Sequence, residues 1–461
     1  MLNYNHVIEK METMCNISKM RGLTYFGKIQ FLKTFVVSKL TFISSMAPMP
    51  EWVVKKVNSI IYSFLWNSKV NKMKRLASIS KFEDGGIEMP DIQSRYCTQN
   101  MMWLKRYFSP SFHPWKLHIS NVIQSIGGNM VFNNVIHEDI IKTINCVFIK
   151  DLLYSWNVYI NNHEINPLLN CIWSNSQITT KNGKPLSPDS EIKNQGFNQV
   201  CDLYDLETGK VFTWQKLLTK NWKPRQYIQW CSILQSLPKP WALIESQELM
   251  NYRPTDIVST ITNFTSSQIY WNYVQIKFEK PTSEMKFSEK YNISPDEWKE
   301  LYLLPFKTMI DTKSRVFQFK MLHNILYTND RLFLFHKSNT NICYFCQGDV
   351  ETNEHLFYEC SVVQTLWANL FSIYNCTPVM EKRHILFGYP DAKQTLLNHI
   401  IVITKMYIYH TKLNEKSLSV RLLLNKIKTV EVIERRIAER KFKLTSHYNK
   451  WNTFIASGAN I

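Results

Sequence analysis

The chain has 461 residues, of which 45% are hydrophobic and 13% aromatic, with only 12 glycines and 17 prolines. This composition excludes a disordered or low-complexity protein and predicts several cores built from long elements. Lysine and arginine number 55 against 37 acidic residues, and the formal charge of +18 favours a polyanionic partner, either nucleic acid or an anionic membrane surface.

Two further features narrow the setting. The apolar runs at 35–45 and 396–409 are too short or too interrupted to span a bilayer, so we expect no membrane partner. Six of the ten cysteines are scattered singly through apolar runs, which is typical of reduced thiols in an intracellular protein of the cytoplasm or nucleus.

The first part of the chain has helical periodicity. Apolar residues recur at intervals of three and four over 1–20, over 24–45 and, after the break at Pro48 and Pro50, over 51–66. A basic stretch at 67–75 and a tight turn at 84–86 follow, and then a helix over 96–107. The sequence therefore predicts a small helical bundle with a basic loop at one end.

Several motifs in this region stand in a specific order. They are Arg21–Ile29, Lys33-Thr34, Ser38–Leu40, Pro48 with Pro50, Phe64–Asn67, and Gly85–Ile87 followed by Pro90-Asp91. This order resembles the segment that follows the polymerase palm in reverse transcriptases of LINE-class non-LTR retrotransposons. The resemblance implies that residues 1–108 form a thumb-like helical bundle, which in that family holds the primer–template duplex.

The catalytic signature of such a polymerase is missing. Phosphoryl transfer to a primer hydroxyl uses metal ions held by paired aspartates, and no Asp-Asp pair occurs in the 461 residues. The resemblance places the palm and an endonuclease upstream of Met1. We therefore expect that the chain does not polymerise by itself and that the upstream portion, where present, is one of its partners.

Residues 109–295 predict a mainly helical spacer with some irregular or β segments. Tryptophans recur through it at Trp156, Trp173, Trp214, Trp222, Trp230 and Trp241. Two interpretations stay open. The rings fill a helical core, which we favour, or they stack on unpaired bases beside neighbouring basic residues.

A metal-binding pattern follows. Cys343, Cys346, His355 and Cys360 have the spacing C-x2-C-x8-H-x4-C, and three thiols with one imidazole are the ligands that tetrahedral zinc prefers. A redox role for the Cys-x-x-Cys pair would need a thioredoxin-like setting, which is not visible. Because protein would fill all four positions, we expect a structural zinc and no small-molecule substrate. This CCHC motif also resembles the zinc motif that follows the spacer in LINE polyproteins.

The zinc module is predicted to cover 296–380. Its last two ligands would lie on a short helix over 354–360, with Val363, Leu366 and Trp367 packed beneath it. A helix over 313–326 precedes the module, and its cations Lys313, Arg315 and Lys320 spread over half of its circumference, so solvation and phosphate contact are both open. His323 in the same helix is expected to be a buried histidine.

Residues 381–461 predict basic C-terminal helices over 392–414 and 420–448. The second could lie along phosphates, or its charges could be a solvated face with pairs such as Glu431–Arg435. Asp391 with Glu439 and Lys441 matches the pattern of a restriction-like nuclease on paper. The long gap and the helical setting of Glu439 exclude it.

Taken together, the sequence predicts a mainly α, multi-domain protein with thumb-like bundle (1–108), spacer (109–295), zinc module (296–380) and basic tail (381–461). The leading hypothesis is a non-catalytic fragment of a LINE-type reverse transcriptase that grips an RNA template or RNA–DNA duplex. The alternatives are a zinc-stabilised protein-interaction module and a non-functional remnant of a decayed retroelement. The predicted phosphate contacts are Lys28, Lys33, Lys69, Lys72, Lys74, Arg75, Arg435, Arg436 and Arg440.

Overall fold

The computed structural model describes residues 2–163, 166–205, 208–243, 262–373, 381–391 and 394–456. These residues are mainly helical, which confirms the predicted fold class. Their regular sheet consists of two short antiparallel strands, in which Tyr204 pairs with Val211 and Asp205 with Lys210. Among the described helices, each is too short or too polar to cross a bilayer.

The elements follow each other in chain order. The α-helices and strands are α1 (Leu2–Ser18), α2 (Tyr25–Phe31), α3 (Ser38–Met46), α4 (Glu51–Trp66), α5 (Arg75–Ser78), α6 (Ile92–Phe108), α7 (Pro114–Ile126), α8 (Glu138–Thr143), α9 (Val147–Ile160), α10 (Ser190–Asn194), β1 (Tyr204–Asp205), β2 (Lys210–Val211), α11 (Trp214–Thr219), α12 (Tyr227–Ser236), α13 (Ser266–Ile276), α14 (Thr282–Tyr291), α15 (Pro295–Thr308), α16 (Thr312–Leu322), α17 (Asn329–Leu334), α18 (Ser361–Ile373), α19 (Lys382–Phe387), α20 (Thr395–Leu413), α21 (Val420–Arg440) and α22 (Leu444–Ala456). Short 3-10 turns lie at Lys19–Arg21, Phe82–Asp84, Asn129–Asn133, Pro167–Leu169, Val200–Leu203, Pro224–Gln226 and Lys239–Leu243, and π turns at Leu32–Val36 and His355–Glu359.

The chain divides into two compact units. Unit 1 consists of residues 1–11, 37–58 and 91–277, and unit 2 of residues 12–36, 59–90 and 278–461. Residues 1–108 therefore contribute to both units. The four predicted domain ranges stay predictions, and the boundary at 380 lies outside the described residues.

Unit 1 has a core rich in aromatic rings. Trp156, Trp173, Trp222 and Trp230 are each at most 3% exposed, and they pack with aliphatic side chains of α6 to α13. The Tyr273 hydroxyl donates to the carbonyl of Ser155 at 2.7 Å, which ties α13 to α9. The interpretation of these four tryptophans as core residues is confirmed.

Unit 2 is organised around α20. This helix is buried along most of its length, and the Lys405 side chain at its centre is fully buried. The Lys405 ammonium donates to Gln318 Oε1 at 2.9 Å and to the carbonyl of Leu386 at 2.8 Å, so both of these partners are uncharged. Burial alone lowers the pKa of Lys405 to about 7.

The predicted helix over 24–45 is interrupted. Thr24 Oγ1 accepts from the amide of Gly27 and starts α2, but α2 ends at Phe31, and the π turn Leu32–Val36 precedes α3. A π turn inserts one extra residue and rotates the side chains that follow. The next helix, α4, has the predicted bounds of 51 and 66.

Candidate metal centre

The first two thiols lie on one tight hairpin. An antiparallel bridge between Ile342 and Val350 closes it, and the amide of Cys343 donates to the carbonyl of Asp349 at 2.8 Å. Gln347, which has a left-handed φ of +52°, donates its amide to the carbonyl of Cys343 at 3.0 Å. The Cys360 thiol and burial raise the pKa of Cys343, whereas the backbone amides of Phe345 and Cys346 act in the opposite direction. Such N–H groups stabilise a thiolate, which is the form that binds metal.

The other two ligands lie at opposite ends of a π turn. His355 begins the turn, and the amide of Cys360 donates to the carbonyl of His355 at 2.9 Å, which is the i→i+5 bond of a π turn. In an α-helix, residues five apart point in different directions because each residue advances about 100°. The wider π turn brings His355 and Cys360 to the same side. A short helical segment presents both residues, as predicted, but it is a π turn.

The four ligand atoms form a compact cluster. They lie within 4.8 Å of one another, with Cys343 Sγ 4.0 Å from Cys360 Sγ and Cys346 Sγ 3.2 Å from His355 Nε2. A tetrahedral ion with Zn–S bonds near 2.3 Å separates its sulfur ligands by about 3.8 Å. The donor set and its dimensions therefore fit zinc. No position is left for water or substrate, so this is a structural zinc site.

Comparison with known protein families also indicates a zinc site in this part of the chain. Residues 267–367 match the family described as zinc-binding in reverse transcriptase. The match begins in α13, ends in α18 and includes all four ligands. Residues 267–367 are therefore similar to the zinc-binding part of reverse transcriptases, and we call them the zinc-binding region.

Apolar side chains support the ligands of the zinc-binding region from below. Val363, Leu366 and Trp367 of α18 are each at most 3% exposed, which confirms the predicted packing. The Trp367 indole donates to the carbonyl of Phe357 inside the π turn at 3.0 Å. The π turn is therefore fixed both by its ligands and by the core of unit 2.

A buried carboxylate, which sequence reasoning missed, orders the hairpin. Glu351 is fully buried, and it accepts from the amide of Asn329 at 2.9 Å and from the amide of Tyr344 at 3.1 Å. The Lys412 ammonium of α20, also buried, forms an ion pair with it. Glu351 thus joins the start of α17, the turn between the first two thiols, and α20. Glu351 and Lys412 both lie in mostly polar stretches of sequence, so no local signal indicated that either is buried.

The predicted phosphate contact at Lys28 is corrected by the structure. Lys28 is 5% exposed, and its ammonium donates to the carbonyls of Phe64 and Leu65 and to Asn67 Oδ1 at 2.6–3.1 Å. It therefore caps the carboxyl end of α4, where a positive charge is favourable. Burial, with the nearby charge of Lys72, lowers the pKa of Lys28 to about 8. A side chain with three internal acceptors is not free to bind phosphate.

The remaining predicted cations of the basic loop reach the surface of unit 2. Lys69, Lys74 and Arg75 are exposed, and Lys72 is half-buried with its ammonium 5.1 Å from the centre of the Tyr327 ring. Lys33 forms an ion pair with Glu88 at 2.9 Å, and Lys74 with Glu279 at 3.1 Å. The Lys74 pair is exposed and the Lys33 pair half-buried, and ion pairs that water reaches are weak and exchange readily with other anions.

The charges of α21 are separated by burial. Two of its three acids, Glu431 and Glu434, point inward, while Glu439 is exposed. Glu431 accepts from His447 at 3.0 Å if that ring nitrogen is protonated, and Glu434 accepts from Lys450 at 2.8 Å. The predicted contacts Arg436 and Arg440 are exposed, and Arg435 is half-exposed, 3.8 Å from Glu431. The outer face of α21 is consequently more basic than its composition suggests.

A buried histidine, as predicted, directly follows α16, which ends at Leu322 and not at the predicted residue 326. His323 is 7% exposed, its ring lies 4.2 Å from that of Phe319, and burial lowers its pKa to about 3. It is not part of the metal cluster. The Arg315 side chain donates to the carbonyl of Met309, and Lys320 lies 5.3 Å from the ring of Tyr25, so neither is simply a solvated charge.

Proposed function

We propose that the chain is a non-catalytic, nucleic-acid-binding part of a LINE-type reverse transcriptase that grips an RNA template or RNA–DNA duplex. The observation that carries the proposal is the family match over 267–367, because a reverse transcriptase has to hold an RNA template. In this proposal the zinc fixes the fold of the binding surface, and the chemistry belongs to an upstream palm.

The charge distribution in unit 2 supports this proposal. The exposed cations of the basic loop and of α21 lie in the same unit as the zinc ligands. Cations that neutralise phosphates release counterions, so binding through them weakens steeply with salt. The proposed contacts are Lys33, Lys69, Lys72, Lys74, Arg75, Arg435, Arg436 and Arg440.

The test is the salt dependence of RNA and RNA–DNA duplex binding, measured by fluorescence polarisation with the full chain. Replacing Lys69 and Lys74 by glutamine should lower the slope of log K against log salt by about 0.7–0.9 for each lost contact. The matched control replaces the exposed Lys181 and Lys184 of unit 1 and removes the same charge. Equal effects of the two double variants would show that charge alone, not this loop, governs binding.

Two further outcomes bear on the proposal. Binding without any salt dependence would favour the alternative of a zinc-stabilised protein-interaction module, since it would mean that phosphates are not held. Incorporation of dNTPs by the purified chain on a primed RNA template would contradict the non-catalytic assignment.

A further inference from the structure

Unit 2 contains a surface cleft of which only Lys72 belongs to the contacts proposed above. Trp66 at the end of α4 and residues 67–72 of the basic loop form one wall, and residues 325–337 form the other. The cleft has a volume of about 450 Å³. This volume lies within the range of sites that hold small organic groups. The second wall leads directly into the hairpin of the zinc-binding region.

Aromatic rings are exposed in this cleft. Phe335 is 57% and Tyr327 38% exposed. Their ring centres are 6.5 Å apart and their planes are nearly perpendicular, at 79°. A flat group stacked on Phe335 would therefore meet Tyr327 with its edge.

Cations surround the rings. Lys72, Arg331 and Lys337 line the cleft, and none of its lining residues, all within the described ranges, is acidic. Among the described residues, no carboxylate lies within ion-pairing distance of these three side chains. The nearby Asp330 accepts instead from the Thr328 hydroxyl. The cleft thus combines positive charge with exposed aromatic faces.

From this combination we infer that the cleft binds an unpaired nucleotide of a single-stranded nucleic acid, with its base on Phe335 and its phosphates on Lys72, Arg331 and Lys337. Aromatic rings offer a face on which any base stacks, and flanking cations follow the phosphate backbone. A base pair inside a duplex is stacked on both faces, so the interior of a duplex is excluded from this position. The inference rests on the proposed function and adds where, and in which state, the strand is held.

The zinc-binding region also holds the second wall in place. The Glu351 carboxylate accepts from the amide of Asn329, the first residue of α17, and from the amide of Tyr344 in the metal-binding hairpin. Phe335 follows α17 directly. Zinc removal should therefore disturb the cleft through Glu351, although no metal ligand lies in it.

The test uses short single-stranded RNA and DNA that carry 2-aminopurine, whose fluorescence falls when the base stacks, together with a blunt RNA–DNA duplex. Phe335→Leu keeps an apolar side chain but removes the aromatic face. It should weaken single-strand binding about 5- to 150-fold, abolish the quenching and leave duplex binding unchanged. The control is Phe333→Leu, which alters an exposed ring on α17 that does not line the cleft.

The outcomes separate the inference from the proposed function. If the Phe335→Leu variant binds single strands and quenches 2-aminopurine as the wild type does, while RNA binding stays salt-dependent, base stacking in the cleft is refuted. The proposed function is then unaffected. Loss of all RNA binding by the wild-type chain would overturn both. Equal losses of single-strand affinity for Phe335→Leu and Phe333→Leu would likewise refute base stacking in the cleft. Comparing the RNA with the DNA strand identifies which nucleic acid it prefers.

Discussion

Replacing Glu351 should destabilise the zinc-binding region out of proportion to the small change in shape. Glu351→Gln removes the charge that compensates the buried Lys412 ammonium. Breaking one side of a buried ion pair costs about 3–5 kcal/mol. The glutamine also has a single acceptor oxygen for three donors, namely Lys412 and the amides of Asn329 and Tyr344.

Hydrogen exchange of the Tyr344 and Asn329 amides, measured on the zinc-loaded chain, reports the loss of local stability at the hairpin. The measurement does not require the two units to unfold together. A loss of about 3 kcal/mol corresponds to roughly 150-fold faster exchange through the opened state. Glu300→Gln is a suitable control because Glu300 and its partner Lys307 are half-exposed, and such pairs contribute at most about 1 kcal/mol.

A double-mutant cycle decides whether the ion pair causes the effect. Lys412→Met removes the unpaired charge, so the Glu351→Gln change should cost less in its presence, with a coupling of about 2 kcal/mol. Additive losses would refute the role assigned to the pair. Unchanged exchange of the Tyr344 amide in Glu351→Gln would refute its role in ordering the hairpin.

Three further predictions concern the metal site and the fold of unit 2. Replacing Cys343 and Cys346 together by serine should abolish stoichiometric zinc in a metal assay and locally unfold the hairpin, as a chelator should; unchanged metal content would contradict the ligand assignment. Because the folded pKa of Lys405 lies below its unfolded pKa near 10.4, its burial is most unfavourable below pH 7 and progressively less so as pH rises between the two values. Lys405→Met should therefore gain stability over the wild type in denaturant titrations at pH 7 and lose that advantage by about pH 10, and a pH-independent difference would contradict this. Gly86→Ala should destabilise unit 2 by about 3 kcal/mol, because its Cβ would lie 2.0 Å from the Ser80 carbonyl oxygen, and an unchanged denaturation midpoint would contradict this close backbone approach.

Local signals explain which features could be predicted from sequence. The proline break before α4 and its apolar spacing indicated both helix ends, since each signal lies within a few residues of the feature that it determines. The zinc ligands were predictable because thiols and imidazole at this spacing have few other structural uses. The π turn at His355–Glu359 was not predictable as such, because its extra residue is selected by the metal cluster and by Trp367.

Burial of charge explains what sequence reasoning missed. In the sequence, Lys28 cannot be distinguished from a lysine on the surface. Only its contacts with the carbonyls at the end of α4 show that it is a capping residue. Glu351 lies in a polar segment, and its partner Lys412 follows about sixty positions later. Such pairings depend on tertiary structure, so periodicity and spacing carry no information about them.

The π turn has a consequence for the metal-free protein. An α-helical turn is the more favourable conformation for the backbone, and the metal ligands together with the Trp367 contact stabilise the wider turn. Once the metal leaves, the segment from His355 can tighten by one residue, which rotates Cys360 away from the other thiols. The same shift would pull the Phe357 carbonyl from Trp367. Zinc thus fixes which residues of this segment face the metal, and its loss would alter packing in the hydrophobic core of unit 2 as well as the structure at the surface.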